Sequence, residues 1–315
     1  MYEKDTIQLY NTLKEISHKK IGPWQHSALE NWKKEYFFKE LNEVNIANFR
    51  RHPISKGTLN FPDIPIQKDS LHFYNISTIQ RVKGLKLILW MLYKLNHCYK
   101  FKLPDLSDNL IGNPICYKIW NICITEFSMR MYYYKERIKQ FFVNTKLSHI
   151  LEIGGGFGGL CNSLMSDNKL SIKTYVLIDL PENLILSYYY LKNLGYNIKF
   201  ILSEENIIDV VNRKLDKNER VIIFLSPWMF SGLDILDIKF ELFINIMSFQ
   251  HMTMDNIIYY FDTIRKLEIP FLYLVNRDLN RYPIYDNYTI TWKEKWLFSQ
   301  NPSLGHLECL LRKNE

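Results

Sequence analysis

The spacing of apolar residues changes near residue 147 of this 315-residue chain. Before that point apolar positions recur every three or four residues, which predicts amphipathic helices. After it, short apolar runs alternate with helical stretches, a pattern typical of βαβ units and a parallel sheet. We therefore expect a mostly α-helical N-terminal region, residues 1–124, followed by an α/β domain, residues 125–315. The predicted helices are residues 3–18, 27–43, 76–99 and 125–143, and residues 50–69 are predicted as a loop.

Seven short apolar runs in the second part are predicted as strands. The last two are separated only by a short polar segment, residues 298–305, which leaves no room for a crossover helix. They are therefore expected to form an antiparallel hairpin. A seven-stranded, Rossmann-like sheet that closes in such a hairpin is the fold of class I S-adenosylmethionine (SAM) methyltransferases, and this is the predicted fold class. The seven runs are Ile150–Ile153, Tyr175–Asp179, Ile198–Leu202, Val221–Leu225, Phe271–Asn276, Tyr288–Trp292 and Leu307–Leu311.

The run from His149 to Gly159 is predicted to be a buried strand that ends in glycines and turns into a helix. Glycine permits a positive φ at such a turn and lets a ligand approach the backbone closely. The glycine spacing alone fits two cofactor classes. Gly154, Gly156 and Gly159 match the dinucleotide pattern G-x-G-x-x-G, whereas Glu152, Gly154, Gly156 and Gly158 match the E-x-G-x-G-x-G of SAM methyltransferases.

Three features favour SAM. Glu152 lies inside the strand end, where an acid can hold the charged amino-acid end of that cofactor. The predicted hairpin fits a dehydrogenase poorly, and the 160 or so residues after the loop suit one methyltransferase domain. Asp179 ends the next strand and can accept both ribose hydroxyls, a role common to both cofactors; the alternative is an N-cap for the following helix. Glu204 follows the third predicted strand and Ser226 follows the fourth, and both are added as candidates. The predicted cofactor-binding residues are therefore Glu152, Gly154, Gly156, Gly158, Asp179, Leu180, Glu204 and Ser226.

Two histidines are candidates for a general base. His251 lies in the polar stretch Ser248–Met252, just before a predicted helix, and the ordinary histidine pKa near 6.5 suits a group that accepts a hydroxyl proton. His306, in the predicted hairpin loop, is the second candidate. For His251 the alternative is a satisfied or surface histidine.

Four further residues are candidates for acceptor binding. Three of them follow predicted strands, at the sheet edge where open α/β folds bind ligands. Trp228 would line a pocket, although packing in the core explains an aromatic residue equally well. Arg277 and Arg281 could hold a phosphate or carboxylate with bidentate geometry, or could simply be solvated. Gln250 precedes the candidate base. No metal is expected, because no group of residues has the spacing typical of metal ligands.

The formal charge of +7 is concentrated in residues 1–145, which carry 22 Lys and Arg against 13 Asp and Glu. Such a basic region favours phosphorylated, nucleic-acid or anionic membrane partners. A lysine-rich composition explains it equally well, and without a recognition signature we expect no nucleic-acid partner.

The five cysteines form no C-x-x-C pair, and neither a signal peptide nor a transmembrane run is visible. The predicted location is the cytoplasm, and the N-terminal helices are expected to form a substrate cap or a homo-oligomer interface.

Four motifs together resemble a family of sugar O-methyltransferases from bacterial surface-polysaccharide loci. They are L-E-I-G-G-G-F-G-G-L at 151–160, I-D-L-P-E-N-L at 178–184, S-F-Q-H-M at 248–252 and V-N-R at 275–277. The resemblance covers residues 125–312 and implies transfer of a methyl group from SAM to a hydroxyl of a nucleotide sugar or glycan. The chain departs from the family at His251, where the family often has an acid, so the identity of the base stays open.

Other functions are compatible with the same residues. One is a SAM methyltransferase with a different acceptor, such as a small-molecule phosphate, a lipid or RNA. Another is a catalytically silent subunit with this fold that binds a partner through its basic helical half. An NAD-dependent oxidoreductase fits least well, because of Glu152 and the late hairpin.

Overall fold

The computed structural model describes residues 2–18, 38–51, 78–202, 220–236, 238–277, 279–283, 287–299 and 305–314. Among the described residues of the N-terminal region, the longer helices lie where the apolar spacing predicts them. The predicted helix over 27–43 and the predicted loop over 50–69 fall largely outside these residues. The helices of this part are α1 (Glu3–His18), α2 (Glu43–Ala47) and α3 (Thr78–Cys98), and a two-stranded hairpin, β1 (Tyr117–Ile119) and β2 (Ile122–Ile124), precedes α4 (Glu126–Phe141).

A sheet of eight strands forms the centre of the C-terminal part. Five neighbouring pairs are parallel, and the last strand along the chain is antiparallel to both of its neighbours. The strands are β3 (His149–Ile153), β4 (Thr174–Ile178), β5 (Ile198–Ile201), β6 (Val221–Leu225), β7 (Leu242–Ile246), β8 (Phe271–Asn276), β9 (Tyr288–Lys295) and β10 (Leu307–Lys313), in the spatial order β5-β6-β4-β3-β7-β8-β10-β9. The predicted fold class, including the late antiparallel hairpin, is confirmed.

The sheet has one strand more than the seven predicted. The additional strand is β7, which lies beside β3 and pairs with it in parallel. Its run of apolar residues is interrupted by Asn245, a fully buried amide. Because a polar residue in a five-residue run weakens the strand signal, the pattern alone did not separate this strand from the loop that follows it.

The apolar runs are nearly continuous because both faces of the sheet are buried. Side chains alternate between the two faces: Tyr175 and Leu177 belong to one core cluster, whereas Val176 and Ile178 belong to the other. Helix α7 (Met254–Lys266) contributes to the second cluster. The first cluster also contains the buried residues of α1, α3 and α4, so the N-terminal helices share a core with the sheet. The proposed boundary at residue 125 stays a prediction, as does a homo-oligomer.

The N-terminal region contains a buried ion pair that also contacts the glycine loop. Arg50 is fully buried and donates to both carboxylate oxygens of Asp108, at 3.0 and 2.5 Å. Thr125, the N-cap of α4, donates to the same carboxylate, and the guanidinium of Arg50 lies 5.0 Å from the ring centre of Phe157. Because these groups satisfy one another, the pair can stay buried without an uncompensated charge.

The direction of the strands brings several chain segments to one edge of the sheet. In the parallel strands this is the carboxyl edge, where β3, β4, β6, β7 and β8 end. Since Leu307 pairs with both Asn276 and Lys295, β10 begins and β9 ends at the same edge. Within the described residues, no helix is both long and apolar enough to cross a bilayer.

Candidate cofactor and acceptor site

The glycine loop after β3 contains three glycines with positive φ: Gly154 at 78°, Gly156 at 60° and Gly158 at 83°. Gly158 is the N-cap of helix α5 (Gly159–Met165). Two backbone hydrogen bonds fix the loop. The Gly154 N–H donates to the Ile178 carbonyl at 2.8 Å, and the Gly158 N–H donates to the Gly155 carbonyl at 3.0 Å. Side chains other than glycine are strained at such φ values, so all three positions favour glycine.

The space around each glycine shows whether the protein's own packing or room for a ligand requires it. A Cβ on Gly154 would lie 2.0 Å from the Ser248 Oγ, and one on Gly158 would lie 2.7 Å from a methyl carbon of Leu191. These two glycines are required by the protein's own packing. A Cβ on Gly156 would meet nothing within 4 Å, so the backbone there faces open space that a ligand can approach.

Asp179 lies one residue after β4 and is almost fully buried. Its carboxylate accepts from the Gly156 N–H at 3.0 Å, the Leu180 N–H at 2.8 Å and the Asn183 side-chain amide at 2.8 Å. The N-cap of helix α6 (Pro181–Asn193) is Leu180 and not Asp179, so the alternative considered for Asp179 is wrong. Asp179 instead fixes the open glycine to the start of α6, which places a carboxylate beside the space at Gly156.

Glu152 is the second acid at the loop and is 2% exposed. Its carboxylate accepts a hydrogen bond from the Tyr175 hydroxyl at 2.8 Å. Its pKa is raised to about 7, mainly by burial; the hydrogen bond from Tyr175 opposes this rise and the charge of Asp179 adds to it. Among the described residues, no positively charged group contributes to the pKa shift of Glu152. The loop is therefore an acidic site that favours a cationic ligand group over an anionic one.

Ser226, Glu204 and Trp228 are the predicted site residues that follow the third and fourth predicted strands. Ser226 follows β6 at the carboxyl edge and is 2% exposed, and its carbonyl accepts from the Met229 N–H at 2.9 Å. Glu204 lies outside the described residues. Trp228 is half-buried and packs against the second core cluster, in line with a packing role. The cofactor role of Ser226 and the acceptor role of Trp228 stay predictions.

A tight turn after β7 connects the glycine loop to the candidate base. Met247 has a positive φ of 56°, an unusual value for a non-glycine residue, and Ser248 then lies against Gly154. The His251 N–H donates to the Ser248 carbonyl at 3.0 Å in the 3₁₀ turn Phe249–His251. His251 is therefore one turn away from the glycine loop, and it is exposed.

Four of the predicted residues come together from three distant segments. The Gln250 side-chain amide lies 3.1 Å from the His251 Nε2, and the Gln250 Oε1 accepts from the Arg277 N–H at 3.3 Å. The Arg277 Nε in turn donates to the His306 Nε2 at 3.3 Å. His251, Gln250, Arg277 and His306 thus form one hydrogen-bonded cluster at the carboxyl edge. Arg281 is exposed on the next turn, and its role in acceptor binding stays a prediction.

The surroundings of His306 are basic. Burial first, and then the positive charges of Arg277, Arg130 and His251, together lower its pKa to about 4. Arg130 comes from α4 and lies 5.0 Å from the ring centre of Trp296, whose ring is 5.7 Å from that of His306. This half of the site favours an anionic group on the acceptor.

We expect His306 to remain neutral down to about pH 5, because its pKa of about 4 lies well below that of an ordinary histidine. Side-chain ¹⁵N chemical shifts of the wild type and of His306→Asn, recorded from pH 4 to 8, identify its titration. Inorganic phosphate should raise the midpoint, since an anion compensates the imidazolium. A midpoint near 6.5 without phosphate would contradict the basic surroundings.

No protein family and no curated protein matches the chain. Solved structures are similar at a low level. TrmN from Thermus thermophilus is 11% identical with a TM-score of 0.38; the match covers 57% of this chain and 48% of that chain, so this chain spans about half the length of TrmN. An rRNA methylase from Streptococcus thermophilus is 13% identical with a TM-score of 0.35, over 57% of this chain and 97% of that chain.

The methyltransferase domain of bacterial CtHen1-CN is 11% identical with a TM-score of 0.38, over 59% of this chain and 97% of that chain. Streptococcus pneumoniae Sp1610 in complex with S-adenosyl-L-methionine is 10% identical with a TM-score of 0.32, over 57% of this chain and 73% of that chain. At these TM-scores the similarity supports no inference about activity, and the fold rests on the strand order described above.

Several residues of the site carry no sequence signal of their own. Asn245 donates to the Ile153 carbonyl at 2.8 Å and accepts from the Phe249 N–H at 3.2 Å, which ties the end of β3 to the turn at His251. Asn276 donates to the Asn245 Oδ1 at 2.9 Å and so joins β8 to this network. Arg130 was also missed, because one arginine within a helix has no distinctive spacing. Among the described residues there is no cluster of three or more potential metal ligands.

Proposed function

We propose that this protein is a SAM-dependent O-methyltransferase whose acceptor is a sugar hydroxyl. The observation that carries the proposal is the open, acidic glycine loop, one turn away from a cluster with two histidines and an arginine. The loop offers a place for a cationic cofactor, and the cluster offers a base and an anchor for the acceptor. Both lie at the carboxyl edge of the sheet, where open α/β folds bind their ligands.

The loop fits SAM better than a dinucleotide for an electrostatic reason. A dinucleotide places its pyrophosphate at the glycine loop and the helix N-terminus. Here that position has the buried carboxylate of Glu152 with Asp179 nearby, and two phosphates would be repelled by them. The amino-acid end of SAM carries an ammonium group, and the sulfonium is also cationic. Glu152 and the open backbone at Gly156 would hold the amino-acid part, and Asp179 would hold the ribose hydroxyls.

When bound, SAM supplies an electrophilic methyl group on a good leaving group. The residues of this chain have to orient the acceptor oxygen and receive its proton. His251 is the better base because its ring is exposed and its Nε2 lies beside a neutral amide, that of Gln250. His306 is a weak base, since its pKa of about 4 lies far from neutral pH and its Nε2 is engaged by the charged Arg277. Arg277 is left to anchor a phosphate or carboxylate of the acceptor.

Cofactor binding should release a proton from Glu152. With a pKa of about 7 the free carboxyl is roughly half protonated at pH 7, and an ammonium group nearby favours the ionised form. Titration with S-adenosylhomocysteine in buffers of different ionisation enthalpy should therefore give release of about half a proton. Glu152→Gln should abolish this buffer dependence. A wild type whose binding enthalpy is the same in all buffers would contradict the role of Glu152.

The sugar acceptor is supported by the residue motifs at 248–252 and 275–277 and by the basic half of the site, which suits a nucleotide-linked sugar. The expectation of no nucleic-acid partner stays a prediction, as does a location in the cytoplasm. Methyl transfer from labelled SAM should be assayed on nucleotide-linked hexoses, on free methyl glycosides and on total RNA. Label in a nucleotide-linked sugar is the expected result. Label in RNA alone would overturn the sugar acceptor while keeping the methyltransferase, and binding without transfer would favour a silent subunit.

A further inference from the structure

The outer face of helix α3 carries a row of exposed apolar side chains. Successive members of the row are three, four and four residues apart, so they lie on one side of a helix that turns by about 100° per residue. The opposite side of α3 is buried in the first core cluster, through Ile88, Met91 and Leu95. The apolar row of α3 consists of Val82, Leu85, Leu89 and Tyr93, which are 49%, 40%, 53% and 62% exposed.

Such a row is unusual on a protein surface. Single exposed apolar residues are common, whereas several on one face mark a surface that contacts a partner. From Val82 to Tyr93 the row extends over about 16 Å, at about 1.5 Å per residue. A helix that is apolar on both sides is normally covered on both sides. In the part of the chain that the structure describes, only one side of α3 is buried, so we expect a partner on the other side.

The charges around the row are all positive. Residues 78–104 contain six Lys and Arg and no Asp or Glu. Arg81 and Lys83 are exposed and flank the row, one on each side, at about 100° from Val82. Lys86 is exposed on the same face as the row. An apolar face bordered by cations matches the surface of an anionic bilayer, because the apolar groups enter the headgroup boundary while the cations attract lipid phosphates.

Two other partners fit this face less well. A second copy of the chain, paired through the same face, would bring two sets of cations together without an acid from either α3. A nucleic acid would require polar or charged side chains at the centre of the face, where the apolar row lies. Only a lipid surface matches both the apolar centre and the basic border.

We propose that the outer face of α3 docks on an anionic lipid bilayer, with the helix axis parallel to the membrane plane. The apolar row would enter the boundary between headgroups and acyl chains, and the hydroxyl of Tyr93 would remain at the level of the headgroups. Arg81, Lys83 and Lys86 would lie against the lipid phosphates. This proposal does not depend on the proposed function.

Helix α3 also packs against the acceptor half of the candidate site. The Trp90 ring is 6.3 Å from that of Phe298, and the Phe298 ring is 5.6 Å from that of Trp296. Trp296 in turn contacts His306, at 5.7 Å between the ring centres. A docked chain would therefore hold this half of the site close to the membrane surface.

The test is co-sedimentation of the full chain with vesicles of two compositions. The wild type should bind an equal mixture of phosphatidylglycerol and phosphatidylcholine, and should bind phosphatidylcholine alone at least about tenfold more weakly. The double variant Leu85→Gln, Leu89→Gln should bind the mixed vesicles at least about tenfold more weakly than the wild type. Both leucines are exposed and glutamine is a good helix former, so the variant should fold.

A matched control exists on another surface of the chain. Ile235 and Ile258 are 48% and 41% exposed, and Ile258 lies on α7, which also carries acids. The double variant Ile235→Gln, Ile258→Gln removes the same amount of apolar character away from α3. It should bind the mixed vesicles as the wild type does.

Three results would overturn the proposal. They are a wild type that does not bind the mixed vesicles, equal binding of both vesicle compositions, and equal binding by the wild type and the α3 variant. A dimer in sedimentation velocity that only the α3 variant loses, without vesicle binding, would instead assign the face to a second copy. None of these results depends on S-adenosylhomocysteine, so failure of the docking proposal leaves the proposed function to its own tests.

Discussion

Replacing Gly156 by asparagine should lower the affinity for S-adenosylhomocysteine by a factor of at least about 100 and leave the protein folded. The substitution adds a side chain where a Cβ meets nothing within 4 Å, which is the space we assign to the cofactor. Asparagine is among the few non-glycine residues that adopt a left-handed φ readily, so a φ of 60° is tolerated. The backbone bonds from the Gly156 N–H to Asp179 and from Ser187 to the Gly156 carbonyl can persist. Isothermal titration calorimetry measures the effect.

The chain provides a matched control at Gly195. This glycine has a φ of 86°, its Cβ would also meet nothing within 4 Å, and it lies after α6, in the turn before β5 begins. That turn is at the opposite edge of the sheet from the glycine loop. Gly195→Asn therefore imposes the same local change away from the cofactor and should keep wild-type affinity. Equal affinities for both variants would mean that the space at Gly156 is not the cofactor site.

His251→Gln should lower kcat by roughly 10²- to 10⁴-fold, the usual contribution of a positioned general base, and should leave the affinity for S-adenosylhomocysteine unchanged. The side chain is exposed, so its loss removes no core packing. The measurement is steady-state methyl transfer to the acceptor found in the assay of nucleotide-linked sugars, with calorimetry of the same variant.

His306→Gln is the comparison for this substitution. It removes the weaker base from the same cluster and should lower kcat less than about tenfold, because a group with a pKa of about 4 accepts a proton poorly at neutral pH. If His306→Gln cost more than His251→Gln, the two roles would have to be exchanged. If neither substitution changed kcat, the cluster would not supply the base.

The fold was largely predictable because most strands are apolar on both faces. Runs such as Val221–Leu225 are fully buried and stand out in the sequence. The strand Leu242–Ile246 was missed for a physical reason: Asn245 is needed inside it to bond the Ile153 carbonyl and the turn at Phe249. Asn245, a polar residue that the site requires, therefore weakened the sequence signal of this strand.

The site was predictable residue by residue but not as an arrangement. Arg277 could be named because it follows an apolar run, and ends of parallel strands meet at one edge of a sheet. His251 could be named because its polar stretch precedes a predicted helix. The contact of Arg277 with His306 depends on the pairing of β10 with β8, which single-sequence patterns do not specify.

The most direct test of the central claim is calorimetric titration of the purified full chain with S-adenosylhomocysteine and, separately, with NAD. The acidic, open glycine loop predicts micromolar binding of S-adenosylhomocysteine and no binding of NAD, because Glu152 favours an ammonium group and disfavours a pyrophosphate. Binding of NAD without binding of S-adenosylhomocysteine would contradict the account.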